Sequence, residues 1–230
     1  MKFSKGLAAI AMLAVTATGH AEITGSAAIV SDYNWRGITQ TSQDPAFQAS
    51  LDWAGESGLY VGAWGSNVDF GGCCDENIEI DVYAGFAGGE TITYDVGALY
   101  YAYPGADSID FPEVYASLGY KWVTGKVSYS WDFGNSGDSA FYYELNPSIP
   151  LPNDVTFDLH VGYSDGDYWS DDDYVDYSVG LSKTFGNFTL GVKYVDGSDY
   201  KPGNDTEDDV SSSDAQTIFS VSTEFPWSDE

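Results

Sequence analysis

Residues 77–87 read NIEIDVYAGFA, and the order of those side chains decides the fold class. Ile78, Ile80, Val82, Ala84 and Phe86 alternate with Glu79, Asp81, Tyr83 and Gly85. Successive side chains of a β-strand point to opposite faces, so this stretch has one apolar face and one polar or small face. The pattern recurs along the chain. Phe47, Ala49, Leu51 and Trp53 oppose Gln48, Ser50 and Asp52. Val127, Tyr129, Trp131 and Phe133 oppose Lys126, Ser128, Ser130 and Asp132. Val155 to Tyr163 and Phe188 to Tyr194 repeat it.

Twelve strands are predicted, over 23–36, 45–54, 58–68, 77–87, 91–103, 112–122, 125–134, 139–149, 154–164, 174–185, 187–196 and 215–226. Connections after even strands are short turns: Gly55–Ser57, Gly88–Glu90, Val123–Thr124, Pro152–Asn153 and Gly186. Those after odd strands are longer and acidic: Ile38–Asp44, Asp69–Glu76, Pro104–Phe111, Asp165–Asp173 and Gly197–Asp214. Short turns at one end, long loops at the other and an even strand count describe an all-β, transmembrane, antiparallel up-and-down β-barrel. A soluble barrel alternates as well, but turns its apolar face inward. The apolar-face aromatics (Phe47, Trp53, Tyr120, Trp122, Phe133, Tyr163, Phe185, Phe188, Tyr194 and Phe225) cluster near strand ends. Two such bands match the interfacial girdles of a membrane barrel.

The N-terminus fits an exported protein. Lys2 and Lys5 precede the apolar run Leu7–Val15, and small residues stand at Gly19 and Ala21. This is the pattern of a secretory signal peptide, with cleavage expected after Ala21. The barrel domain is then 22–230, and an outer-membrane location in a Gram-negative cell is expected. All 36 acidic residues and six of the eight basic ones lie beyond Ala21, so the mature formal charge is −30. Such a chain does not bind nucleic acid through charge. An aromatic content of 16% argues against disorder. The two cysteines, Cys73 and Cys74, are adjacent and staple nothing within the fold.

The residues Ser31-Asp32-Tyr33-Asn34-Trp35-Arg36-Gly37-Ile38-Thr39-Gln40, followed by Pro45, resemble those of the TorF-type porin family. Gly62–Phe70, Ile78–Gly85, Tyr94–Gly97, Tyr101–Gly105 and Glu113–Tyr115 carry the likeness further, most densely before residue 130. The resemblance implies a barrel with a transport role and nothing catalytic. One feature departs from the usual barrel end, where an aromatic residue is read by the assembly machinery. Here Phe225 is followed by Pro226–Glu230.

By parity, the lumen face carries Asp32, Asp52, Glu79, Asp81, Asp95, Glu113, Asp132, Glu144, Asp158, Asp176 and Glu224, with Arg36, Lys121, Lys126, His160 and Lys193. Acidic excess in a pore favours cations, so the preferred reading is a cation-preferring diffusion channel for small solutes. A packed interior with inward Tyr83, Tyr101 and Tyr115 would instead make a non-conducting structural or adhesive barrel. A lipid-modifying enzyme is disfavoured. His160 and Ser164 share a strand face about 13 Å apart, too far for a nucleophile–base contact. Asp165, Asp167, Asp171, Asp172 and Asp173 form an acidic loop with weak potential for divalent cations, without EF-hand spacing. No cofactor is expected. Expected partners are outer-membrane lipid, lipopolysaccharide, the barrel-assembly machinery and small solutes.

Overall fold

The computed structural model describes residues 21–71, 77–170, 172–198 and 211–227. The leader expectation (apart from Ala21), Cys73, Cys74 and Asp171 lie outside them. Twelve strands close into one antiparallel barrel. In chain order they are β1 (Glu22–Val30), β4 (Ala46–Ala54), β5 (Leu59–Asn67), β6 (Ile78–Gly88), β7 (Ile92–Ala102) and β8 (Phe111–Tyr120). Then come β9 (Val123–Ser130), β10 (Ala140–Leu151), β11 (Val155–Asp165), β12 (Tyr174–Phe185), β13 (Phe188–Gly197) and β14 (Gln216–Phe225). Each pairs with its sequence neighbour, and β1 closes the ring on β14. The strands β2 (Asn34–Trp35) and β3 (Ile38–Thr39) form a separate small hairpin within the first long loop. Among the described residues no helix is long and apolar enough to cross a membrane.

Burial settles which face of the alternation is inside. Ile23, Leu51 and Leu118 are each 64% exposed, while Glu79, Asp81, Glu113 and Asp176 are each 1% exposed. A soluble barrel would show the reverse, since exposed apolar walls and buried charges are the informative exceptions to ordinary burial. The apolar wall faces outward and the polar set fills the interior. Barrel strands of 8 to 12 residues are long enough to cross a hydrocarbon layer at a tilt. Two aromatic bands edge the outer wall. Trp53, Tyr120, Trp122, Phe185, Phe188 and Phe225 mark the short-turn end. Phe47, Tyr163 and Tyr194 mark the long-loop end, where the Tyr163 hydroxyl donates to Asp173 at 2.9 Å. Such tyrosines are apolar in body and polar at the tip, as an interface requires.

Three strand ends differ in ways that move residues between strand and loop. The strand expected over 112–122 ends at Tyr120 and the next begins at Val123, so the turn is Lys121-Trp122 rather than Val123-Thr124. The first strand, expected to reach 36, stops at Val30, because Asp32 and the following residues satisfy one another in a tight inward loop. The strand expected over 125–134 stops at Ser130. Gly134 (φ 57) and Asn135 (φ 54) bend the chain there, and Asp132 Oδ1 accepts the Gly137 N–H at 2.8 Å. Asp132 is therefore a loop residue rather than a pore-lining one. Phe133 is 7% exposed and packs inward, so it does not belong to the outer girdle.

Candidate functional site: a lumen entered by an inward hairpin

The site is the barrel interior, and its most unusual part is the first long loop. Asp32 begins it by accepting hydrogen bonds on Oδ1 from the Thr39 hydroxyl and from the Thr41 hydroxyl at 3.0 Å. The Tyr33 N–H donates to Thr41 Oγ1 at 3.1 Å. These contacts tie the loop to itself, and β2 and β3 form on them. Burial pushes the Asp32 carboxyl up, an effect opposed by the Thr39 and Thr41 hydrogen bonds and by the positive charge of Lys193. The turn between β2 and β3 has Arg36 at φ 50 and Gly37 at φ 81. A left-handed conformation at a non-glycine residue costs about 1–3 kcal/mol. Gly37 is needed on two counts: a Cβ there would also lie 2.5 Å from Asp176 Cβ.

The hairpin enters the barrel at the long-loop end and docks on the wall. Arg36 Nη2 donates to Glu113 Oε2 at 2.6 Å, and the guanidinium lies between the Trp35 and Tyr142 rings, 4.3 and 4.4 Å from their centroids. The Tyr174 hydroxyl donates to the Arg36 carbonyl at 2.9 Å, and the Tyr33 hydroxyl donates to Glu79 at 3.0 Å. Trp35 packs edge-on to Tyr101 and stacks with Phe133. Other loops cover the hairpin: the Asp69 N–H donates to the Gln40 carbonyl at 2.8 Å, and the Thr39 N–H donates to the Ser212 carbonyl at 3.0 Å. Around this plug stand buried carboxylate oxygens without a hydrogen-bond partner among the described residues, on Asp32, Glu79, Asp81 and Glu113.

Nearer the short turns, the wall satisfies itself by side-chain bonds. Tyr83 donates to Asp52, and Tyr60 donates to Asp95 at 2.6 Å while contacting Tyr115. Lys126 lies 3.7 Å from Glu144 and over the Tyr115 ring. The Ser148 hydroxyl donates to Asp158 at 2.6 Å. His160 Nδ1 meets Asn146 Oδ1 at 2.6 Å, and Nε2 meets Asp176 Oδ1 at 2.8 Å and the Tyr142 hydroxyl at 3.0 Å. Its partners are thus an amide, a carboxylate and a phenol, not a serine.

Of the residues expected in the lumen, Glu79, Asp81, Asp95, Glu113, Lys126, Asp158, His160, Asp176 and Lys193 face it from the wall, as do Asp52 and Glu144. Asp32 and Arg36 lie inside as well, but on the hairpin. Glu224 sits exposed at the short-turn rim. Lys121 is misplaced by the parity reading: it occupies the exposed turn after β8 with φ 56, beside the Tyr120 and Trp122 rings. The acidic loop residues are engaged locally. Asp165 caps the Gly166 N–H, Asp167 accepts from Ser139 and Asp173 accepts from Tyr163. Among the described residues, no group of three or more His, Cys, Asp or Glu is arranged to hold a metal ion. The docking residues Tyr33, Trp35, Tyr142 and Tyr174 were not apparent from alternation. The signal for them was Arg36-Gly37 between two short β-forming pairs, which fits a two-residue hairpin turn.

Residues 14–225 match the model of a family described as bacterial protein of unknown function (Gcw_chp). The chain belongs to that family. No curated protein sequence matches it. Among solved structures it is similar to the NanC porin, at 11% identity and TM-score 0.55 over 89% of this chain and 99% of that one. The KdgM porin gives 10% identity and TM-score 0.54 over 90% and 99%. Omp33 of Acinetobacter baumannii, an outer membrane protein, gives 11% and 0.50 over 90% and 97%. At these identities the likeness is one of fold: this Gcw_chp protein has the barrel architecture that porins have.

Proposed function

We propose that the chain is an outer-membrane channel of the TorF porin type, passing small solutes with a preference for cations and narrowed by its first loop. The observation that carries this reading is the sign of the interior charge. Asp32, Asp52, Glu79, Asp81, Asp95, Glu113, Glu144, Asp158 and Asp176 face inward against Arg36, Lys126 and Lys193. A narrow, low-dielectric passage lined by one sign of charge concentrates the opposite ions. The leader at 1–21 would direct export. Phe225, which ends β14 on the outer wall, is the residue available to the barrel-assembly machinery. The outer wall then meets lipid and, at the long-loop rim, lipopolysaccharide.

A second reading has its own observation. Glu79 and Glu113, each 1% exposed, are bonded by the docked loop, as in a structural barrel that conducts nothing. Planar-bilayer recording under a KCl gradient separates the two. Cation-selective reversal potentials support the channel; anion selectivity contradicts it, and the absence of current steps favours the structural barrel.

A further inference from the structure

The tip of the hairpin carries an unexpected residue for its backbone. Two-residue turns with both central φ angles positive favour Asn or Asp before Gly. Here the position before Gly37 is Arg36, at φ 50. What this turn presents is a guanidinium, and groups from several strands receive it. Glu113 of β8 bonds it at 2.6 Å, and Tyr142 of β10 offers its ring face at 4.4 Å. A carboxylate beside an aromatic face is the chemistry that recognises a planar, delocalised cation. The occupancy is incomplete. Arg36 reaches Glu113 Oε2, while Oε1 is buried and has no partner among the described residues. One guanidinium can give a carboxylate two parallel N–H bonds, and the tethered one gives a single bond.

We propose that Glu113 and the Tyr142 ring form a wall site for small solutes bearing a guanidinium group, and that Arg36 is its tethered occupant. The hairpin is then held shut by an intramolecular copy of the ligand, and a free ligand competes with it. Trp35 belongs to the hairpin and leaves with it, so the site proper is the pair on β8 and β10. A primary ammonium is a poor substitute, because it is a point charge without the planar fork. The inference deepens the cation-channel reading and rests on it only for the route of entry; binding itself requires no current.

Arg36→Asn is the variant to make, since Asn suits the turn and the guanidinium is removed. In the refolded barrel, millimolar methylguanidinium is expected to raise the Tm of Arg36→Asn in a dose-dependent way. Equal methylammonium should not, and adding Glu113→Gln should abolish the rise. Equal stabilisation by both cations, or a rise that survives Glu113→Gln, overturns the proposal. The wild-type chain gives a second measurement that no folding defect can confound. Chymotrypsin cleavage after Trp35 should accelerate with methylguanidinium and not with methylammonium; an unchanged rate overturns the competition. Methylguanidinium binding by a barrel that passes no current would sustain the site while removing the channel reading.

Discussion

The two halves of the lumen are polar in different ways. Toward the short turns, wall residues bond to one another across strands, and Lys126, Glu144 and His160 keep 10%, 17% and 21% of their side-chain surface exposed. Toward the long loops, Glu79 and Glu113 are 1% exposed, and both are bonded by the first loop, through Tyr33 and Arg36. The wall supplies both the acceptors and the barrel in each half. Only in the loop-side half does a separate piece of chain supply the main donors, Arg36 and Tyr33. The loop-side half is therefore occupied by a segment of chain separate from the barrel strands.

Substitutions in the two halves should differ in cost. Glu113→Ala removes the partner of a buried guanidinium, and breaking such a pair typically costs about 3–5 kcal/mol. Urea unfolding in lipid vesicles should show a loss of that order; a loss no larger than that of a surface pair would mean the hairpin is not anchored there. Gly37→Ala meets both the left-handed backbone and Asp176, and is expected to weaken docking by roughly 1–3 kcal/mol. Its measure is faster chymotrypsin cleavage in the hairpin with the barrel still folded. Glu144→Ala, away from the hairpin, loses a longer ion pair at 3.7 Å and the Asn146 amide hydrogen bond. It should cost less than Glu113→Ala in the same unfolding experiment, and an equal cost would erase the distinction between the hairpin's anchor and the wall's own pairs.

The barrel wall was legible in the sequence because a strand with lipid on one side and a polar lumen on the other must alternate. Ile78 to Phe86 and Val155 to Tyr163 do so without interruption. The strand count and most of the inward charges followed from that period, and the turn and loop sides from the lengths of the connections. The hairpin was not legible by the same rule. Trp35, Ile38 and Thr39 favour strands, so the segment extends the first strand on paper. What turns them inward is a set of contacts distant in sequence, from Glu79, Glu113, Tyr142 and Tyr174. Asp132 and Phe133 were misread likewise, because alternation runs on past the strand's end at Ser130 as far as Phe133. Lys121 failed because parity has no meaning within a turn.

The register offers the most direct test. Val30 and Ala46 are paired partners on β1 and β4, and Ser31 and Pro45 bond the wall at Phe219 and Asn67, so residues 32–44 can be replaced by a short Asn-Gly turn that leaves these wall contacts in place. Single-channel conductance of this variant should be compared with that of the full chain in the same KCl. If the hairpin narrows a cation pathway, the step size rises several-fold and the current remains cation-selective. An unchanged step, or a folded barrel that still passes no current, would contradict it.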